Sequence, residues 1–246
     1  HPLAKQRRSL IHPISLFMRL FFFSILYTLV GSSALSAERT VRVLYYGAPE
    51  ESNLREAYLY AGLPEPISVT LNRSNFSNQL SISAETEVVR VLPRKLLEDE
   101  VFPSNAPAVS IPINWVDTLL IFSHDPTNEV LPIRIAKINA SEGVFNPGEL
   151  YWINMSDVYV GGTVGSEELR IAPKKTVIMK CPTDDRECAV KLDFVVVGES
   201  SRRSLIRQMW AIDKDTRQVI FILNRPFPQM AGYYVLPFKN PPIEAY

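Results

Sequence analysis

From residue 40 onward, apolar and polar positions alternate over short runs that stop at clusters of Pro, Gly, Asn or Asp. A period of two places successive side chains on opposite faces, so each run predicts a half-buried strand. The pattern predicts strands at Thr40–Tyr46, Ala57–Ala61, Ile67–Leu71, Gln79–Ile82 and Glu87–Leu92. It predicts more at Asp117–Phe122, Val130–Ile138, Leu150–Asn154, Val158–Val160 and Leu169–Ile171. The last set is Thr176–Lys180, Val190–Val197, Leu205–Ile212, Gln218–Leu223 and Tyr233–Leu236. Leu150–Met155 is apolar on both faces, the mark of a central strand covered from both sides. No long segment sustains a 3.6-residue period; Arg94–Glu100 is the best helical candidate, a turn or two in length. Many short strands between turn signals predict an all-β chain of two antiparallel, immunoglobulin-like β-sandwich domains.

Phe102–Asn114 holds three prolines, which disfavour a central strand and suit an extended connector. The predicted organisation is a small β domain at 38–101, a linker at 102–114 and a larger sandwich at 115–246. One continuous sandwich, with the proline stretch as a crossover, is the rival arrangement. In the second domain, Gly161-Gly162 reads as a hairpin turn. Leu205–Ile212 and Arg217–Leu223 read as a hairpin through Asp213–Thr216.

The N-terminal region changes the picture. An uncharged apolar run from Leu20 to Gly31 follows Met18-Arg19 and ends in small residues, the layout of a secretory signal peptide. The run is well short of the roughly 20 residues of a membrane-spanning helix. The expected start is Met18, with cleavage near Ala37 and a mature chain from Glu38. Cleavage removes four basic residues and no acid from a chain that balances 26 of each, which leaves a mildly acidic remainder. Such a surface lacks the basic face that nucleic acid requires. Membrane contact is expected only through the leader before cleavage.

Export sets the reading of Cys181 and Cys188, the only two cysteines. In an oxidising compartment a close, even pair predicts a disulfide, here pinning a hairpin loop between two β-type runs. A zinc site needs more ligands than this chain offers, and Asp184, Asp185 and Glu187 lack the spacing of a calcium loop. No metal or cofactor is expected.

Catalytic motifs are sparse. Ser123-His124-Asp125 holds triad residue types, but neighbours on a strand face opposite ways and no Gly-x-Ser-x-Gly elbow exists. Asp125-Pro126-Thr127-Asn128 reads as a turn. Glu142, Glu149, Asp157, Glu167 and Glu168 fall around loops of the second domain, and two such carboxylates at the right separation define a glycosidase. The aromatics are the more suggestive group. Tyr46, Tyr151, Tyr159, Trp210 and Tyr234 are the candidate binding residues, each able to stack a sugar or anchor a protein from a sheet face. The competing reading places them in the core and at an inter-domain interface.

The runs Val41–Gly47, Leu150–Asn154 and Val158–Gly162 resemble those of uncharacterised secreted bacterial β-sandwich proteins. That resemblance implies architecture and export, and no activity. The expectation is a periplasmic or extracellular, non-catalytic protein that binds an envelope protein or polysaccharide, as an assembly accessory. The alternative is a carbohydrate-active hydrolase using two loop carboxylates.

Overall fold

Among the described residues every regular element is a β-strand. The computed structural model describes residues 39–239 apart from 48, 50–51, 182–186 and 227–228, so the expected leader lies outside the described residues. The first eight strands are β1 (Arg39–Tyr46), β2 (Glu56–Tyr60), β3 (Ile67–Thr70), β4 (Leu80–Ile82), β5 (Val88–Leu92), β6 (Ala108–Ser110), β7 (Asp117–His124) and β8 (Ile133–Asn139). The next four are β9 (Glu149–Asn154), β10 (Val158–Val164), β11 (Glu167–Ile171) and β12 (Thr176–Lys180). The last are β13 (Glu187–Val196), β14 (Arg202–Ala211), β15 (Arg217–Asn224) and β16 (Ala231–Phe238).

They form four sheets of four strands, ordered β4-β1-β7-β8, β3-β2-β5-β6, β12-β9-β15-β16 and β11-β10-β13-β14. The second half repeats the first: adding eight to each strand number of one half reproduces the other. The directions repeat as well. Pairing is antiparallel everywhere except β1 with β7 and β9 with β15, which are parallel. The fold is therefore two β-sandwiches of one topology, and Glu38–Tyr246 is one compact unit.

Three cores run between the layers. The first sandwich packs Val41, Val43 and Phe122 of its inner sheet on Leu59, Val89 and Val91 of its outer sheet. The second packs Trp152 and Ile220 against Val190, Leu192 and Trp210, whose indole stacks on Trp152 at 5.6 Å. The third lies between the two inner sheets, where Leu44, Leu119 and Ile121 meet Val219, Phe221, Leu236 and Phe238. Both faces of each inner sheet are thus covered. That is why β1, β7 and β15 are buried along nearly their whole length while the outer strands alternate.

Charge is buried at one end of the third core. Asp117 accepts hydrogen bonds from Arg42 at 2.8 and 3.1 Å and from Arg217 at 3.3 Å. Arg217 also donates to the Ala140 carbonyl at 2.8 Å, and both guanidinia lie over the Phe238 ring. Burial lowers the pKa of Arg217, an effect that Asp117 opposes. At the open end of the first sandwich, Arg39 donates to the carbonyls of Thr86, Pro112, Trp115, Ala84 and Ile111 at 2.6–3.3 Å. One side chain thereby ties β1 to the loops around it.

The strand assignment differs from expectation at one element and at several connections. The proline stretch 102–114 carries β6, which pairs with β5 and lies inside the first sandwich. Strands β7 and β8 join β1, so the chain passes between sandwiches after β8. The prolines flank a short edge strand, where a missing N–H costs nothing. Gly161-Gly162 lies within β10, and the following turn uses Gly165 in the left-handed region (φ 61°). The β14–β15 connection crosses between sheets, as does the β12–β13 connection that the disulfide Cys181–Cys188 spans. The bridge therefore joins the two sheets of the second sandwich at its rim. Arg94–Glu100 forms no helix.

Two stability measurements follow. Replacing Asp117 by Ala removes the carboxylate shared by two buried guanidinia and is expected to cost about 3–5 kcal/mol in urea unfolding, against under about 0.5 kcal/mol for exposed Leu97→Ala. A loss below about 1 kcal/mol would show that the cluster is not a keystone. Reducing the disulfide is expected to lower stability by about 2–3 kcal/mol on the chain-entropy model, read as a shift of the urea midpoint.

Candidate functional site

The five aromatics singled out from the sequence separate into three environments. Tyr46, Tyr151 and Tyr234 pack at the margin of the core between the inner sheets. Tyr46 stacks on Phe221 at 5.3 Å, and burial raises its phenol pKa. Tyr151 meets Phe145 edge-on, and the Tyr234 hydroxyl donates to the Ser74 carbonyl at 2.8 Å, linking the two sandwiches. Trp210 is in the second core, its indole N–H on Gln208 at 3.2 Å. Tyr159 alone is open, 52% exposed on the outer face of the second outer sheet. The structure therefore brings three of the five together as an internal joint.

A surface that the sequence reading missed lies at the rim of the second sandwich. Strand β11 ends the outer sheet and β12 ends the inner sheet, and a groove of about 670 Å³ runs between them. Leu169, Val177, Met179 and Cys181 line it with apolar surface that continues into the second core. Glu167, Glu168, Arg170 and Lys180 supply its charged lining.

The β12 edge is held on three sides. Along one side it pairs with β9, from Thr176 opposite Ile153 to Lys180 opposite Glu149. The Asn154 N–H donates to the Lys175 carbonyl at 2.9 Å, which sets the alternation. The backbone groups of Val177 and Met179 then turn toward β9, and those of Thr176, Ile178 and Lys180 turn away. At its start, Lys174 adopts a left-handed conformation (φ 60°), uncommon for a residue with a side chain. Its ammonium compensates by reaching the Met155 carbonyl at 2.7 Å and Asp157 at 2.9 Å. At its end, Cys181 ties β12 to β13. A β-branched run with lysines before and after it, closed by Pro173 and by Cys181-Pro182, was the available signal for a guarded edge.

The candidate catalytic groups sit in other partnerships. Asp125 accepts from the Thr127 N–H at 3.1 Å and hydroxyl at 2.6 Å, which lowers its pKa and makes the expected turn beside His124. Glu149 accepts from the Asn146 N–H at 2.5 Å, Glu168 pairs with Arg170 at 2.7 Å, and Asp157 is held by Lys174 and Asn224. Among the described residues, every carboxylate whose pKa is displaced moves down: Asp125, Asp157, Asp213, and Glu100 to about 2 through Arg94. These shifts keep acids ionised, the opposite of what a general acid needs. Among the described residues no three His, Cys, Asp or Glu side chains are placed to hold a metal, and no helix is long and apolar enough to cross a membrane. Asp184 and Asp185 lie outside the described residues. Asn154, in an Asn-Met-Ser match to the glycosylation pattern, is fully buried and bonded through its amide to the Val158 carbonyl at 2.8 Å.

The sequence matches no protein-family model and no curated protein.

The lead-in to β12 has a pH signature. Lys174, then Asn224, lower the Asp157 pKa, so the tether is intact above the ordinary carboxylate range and is lost as pH falls through the depressed value. An NMR titration of Asp157 is expected to show its midpoint below that of a free aspartate, with Lys174→Gln moving it upward. A midpoint indifferent to Lys174→Gln would remove the tether from the account.

Proposed function

We propose that this is an exported, non-catalytic binding protein of the periplasm or cell exterior, which receives an extended segment of an envelope protein along β12. The single observation behind this reading is the seam of the second sandwich: a strand that ends its sheet among the described residues, anchored at both ends, beside an apolar groove. Such an edge offers outward N–H and C=O groups at every second residue, and the groove offers places for alternate side chains of an added strand. Anchoring removes part of the ordering cost that a loose edge would bring to association. The neighbouring charges are mixed in sign, which suits selection among partners more than attraction to any polyanion.

Export is supported by the disulfide, a bond that persists in oxidising compartments. The binding reading is supported over the hydrolase by the partnerships of its candidate acids: Asp157 is held by Lys174 and Asn224, Glu168 by Arg170 and Glu149 by the Asn146 N–H. An assembly accessory is the role that fits a protein whose exposed recognition element is backbone rather than chemistry.

The test is a selection of displayed random peptides on the full chain, followed by binding measurements on the peptides recovered. Strand addition predicts peptides with alternating apolar residues. Methylating their backbone nitrogens at every second residue should weaken binding at least tenfold (about 1.4 kcal/mol). Ile178→Pro, which removes an outward N–H at an edge position that tolerates proline, should have a similar effect while circular dichroism and the melting transition persist. Binding that survives both changes would refute strand addition.

A further inference from the structure

We infer that the outer face of the second outer sheet carries a sugar-binding hollow, centred on Tyr159 and suited to neutral hexose units of a polysaccharide. This goes beyond strand addition at β12 and centres on a different face of the sandwich, sharing Glu168 and Arg170 with the groove.

The hollow, about 600 Å³, lies over β10 and its two neighbours. Register fixes its layout. Tyr159 sits beside Val195, and Gly161, next along the same face, is flanked by Arg170 on β11 and Asp193 on β13. With strands about 4.8 Å apart, the two flanking residues stand roughly 10 Å from each other across a position that has no side chain. A pyranose ring fits that gap, with Tyr159 at its end as a stacking surface.

The glycine at the floor is not demanded by the fold. At Gly162 a side chain is excluded, since φ is 153° and a Cβ would overlap the Lys191 carbonyl oxygen. At Gly161 a Cβ would meet its nearest atom, the Leu169 carbonyl oxygen, at 3.5 Å, an ordinary contact. The Cβ of an alanine would be accepted there. What the missing side chain provides is depth beside an exposed tyrosine.

The polar lining points to the ligand class. Glu168, Arg170, Asp193 and Arg202 surround the hollow, two carboxylates and two guanidinia, so the formal charge is balanced. Arg170 is held by Glu168 at 2.7 Å and Asp193 by Arg207, which fixes their positions while leaving further lone pairs and N–H groups to solvent. Paired donors and acceptors around an aromatic face match the hydroxyls and apolar C–H face of a neutral sugar. A polyanion would meet the two carboxylates.

The experiment is affinity electrophoresis of the full chain in native gels containing laminarin, dextran or galactomannan, with heparin as the anionic comparison. Retardation is expected in at least one neutral gel. It should fall at least tenfold in Tyr159→Ala and in Gly161→Val, with Leu97→Ala unchanged, and circular dichroism confirming the fold of each. Should Gly161→Val fail to fold, Gly161→Ala serves in its place. No retardation in any neutral gel, retardation by heparin alone, or retardation indifferent to Tyr159→Ala would each overturn the inference. Peptide binding at β12 is measured separately, so either proposal can fail without the other.

Discussion

The constraint on which the rest depends is that each inner sheet has two apolar faces and needs a cover for both. Its outer sheet supplies one cover, and the inner sheet of the other sandwich supplies the second. Leu44, Leu119 and Ile121 would otherwise face water, as would Val219, Phe221 and Leu236. At roughly 25 cal/mol per Å² of apolar surface, leaving either face open would cost more than a marginally stable domain can spare. The sandwiches are therefore joined by a core rather than a linker. Their outer sheets and open seams remain for recognition.

Much of this was legible in the sequence, because strand periodicity is a local property. Fifteen of the observed strands sit at or within a few residues of runs that alternate or are wholly apolar. The missed strand, β6, is three residues long between Pro107 and Pro112, too short to establish a period. What local pattern cannot convey is which sheet a strand joins. Asp213–Thr216 has good hairpin chemistry, yet it carries the chain from β14 in one sheet to β15 in another. The same ambiguity hid the disulfide's role as a tie between sheets.

Topology also explains why the aromatic reading separated as it did. Tyr46, Tyr151 and Tyr234 lie on inner-sheet strands, whose second face is covered by the other half, so sequence alternation alone made them look outward-facing. Only an outer sheet has an open face, and Tyr159 is the candidate on one. The groove was invisible for a related reason: it is built from two strands on different sheets. The corresponding seam of the first sandwich is bordered by β3 and β4, and β4 has only three residues and no disulfide behind it. A duplicated architecture has let one copy keep a long, anchored edge.

The buried pair Asp117–Arg217 has a consequence for how the halves recognise each other. Each residue opens the strand that runs parallel to the first strand of its own half, two positions before the first apolar residue of the shared core. They are the same place in the repeat, occupied by opposite charges. Were the second inner sheet to pair with a copy of itself, Arg217 would face Arg217 without the carboxylate it now reaches, whereas Asp117 holds Arg42 of its own half in either case. Complementary halves are instead satisfied within one chain. The two halves are thus joined as a dimer would be, but differ at the buried charge they share.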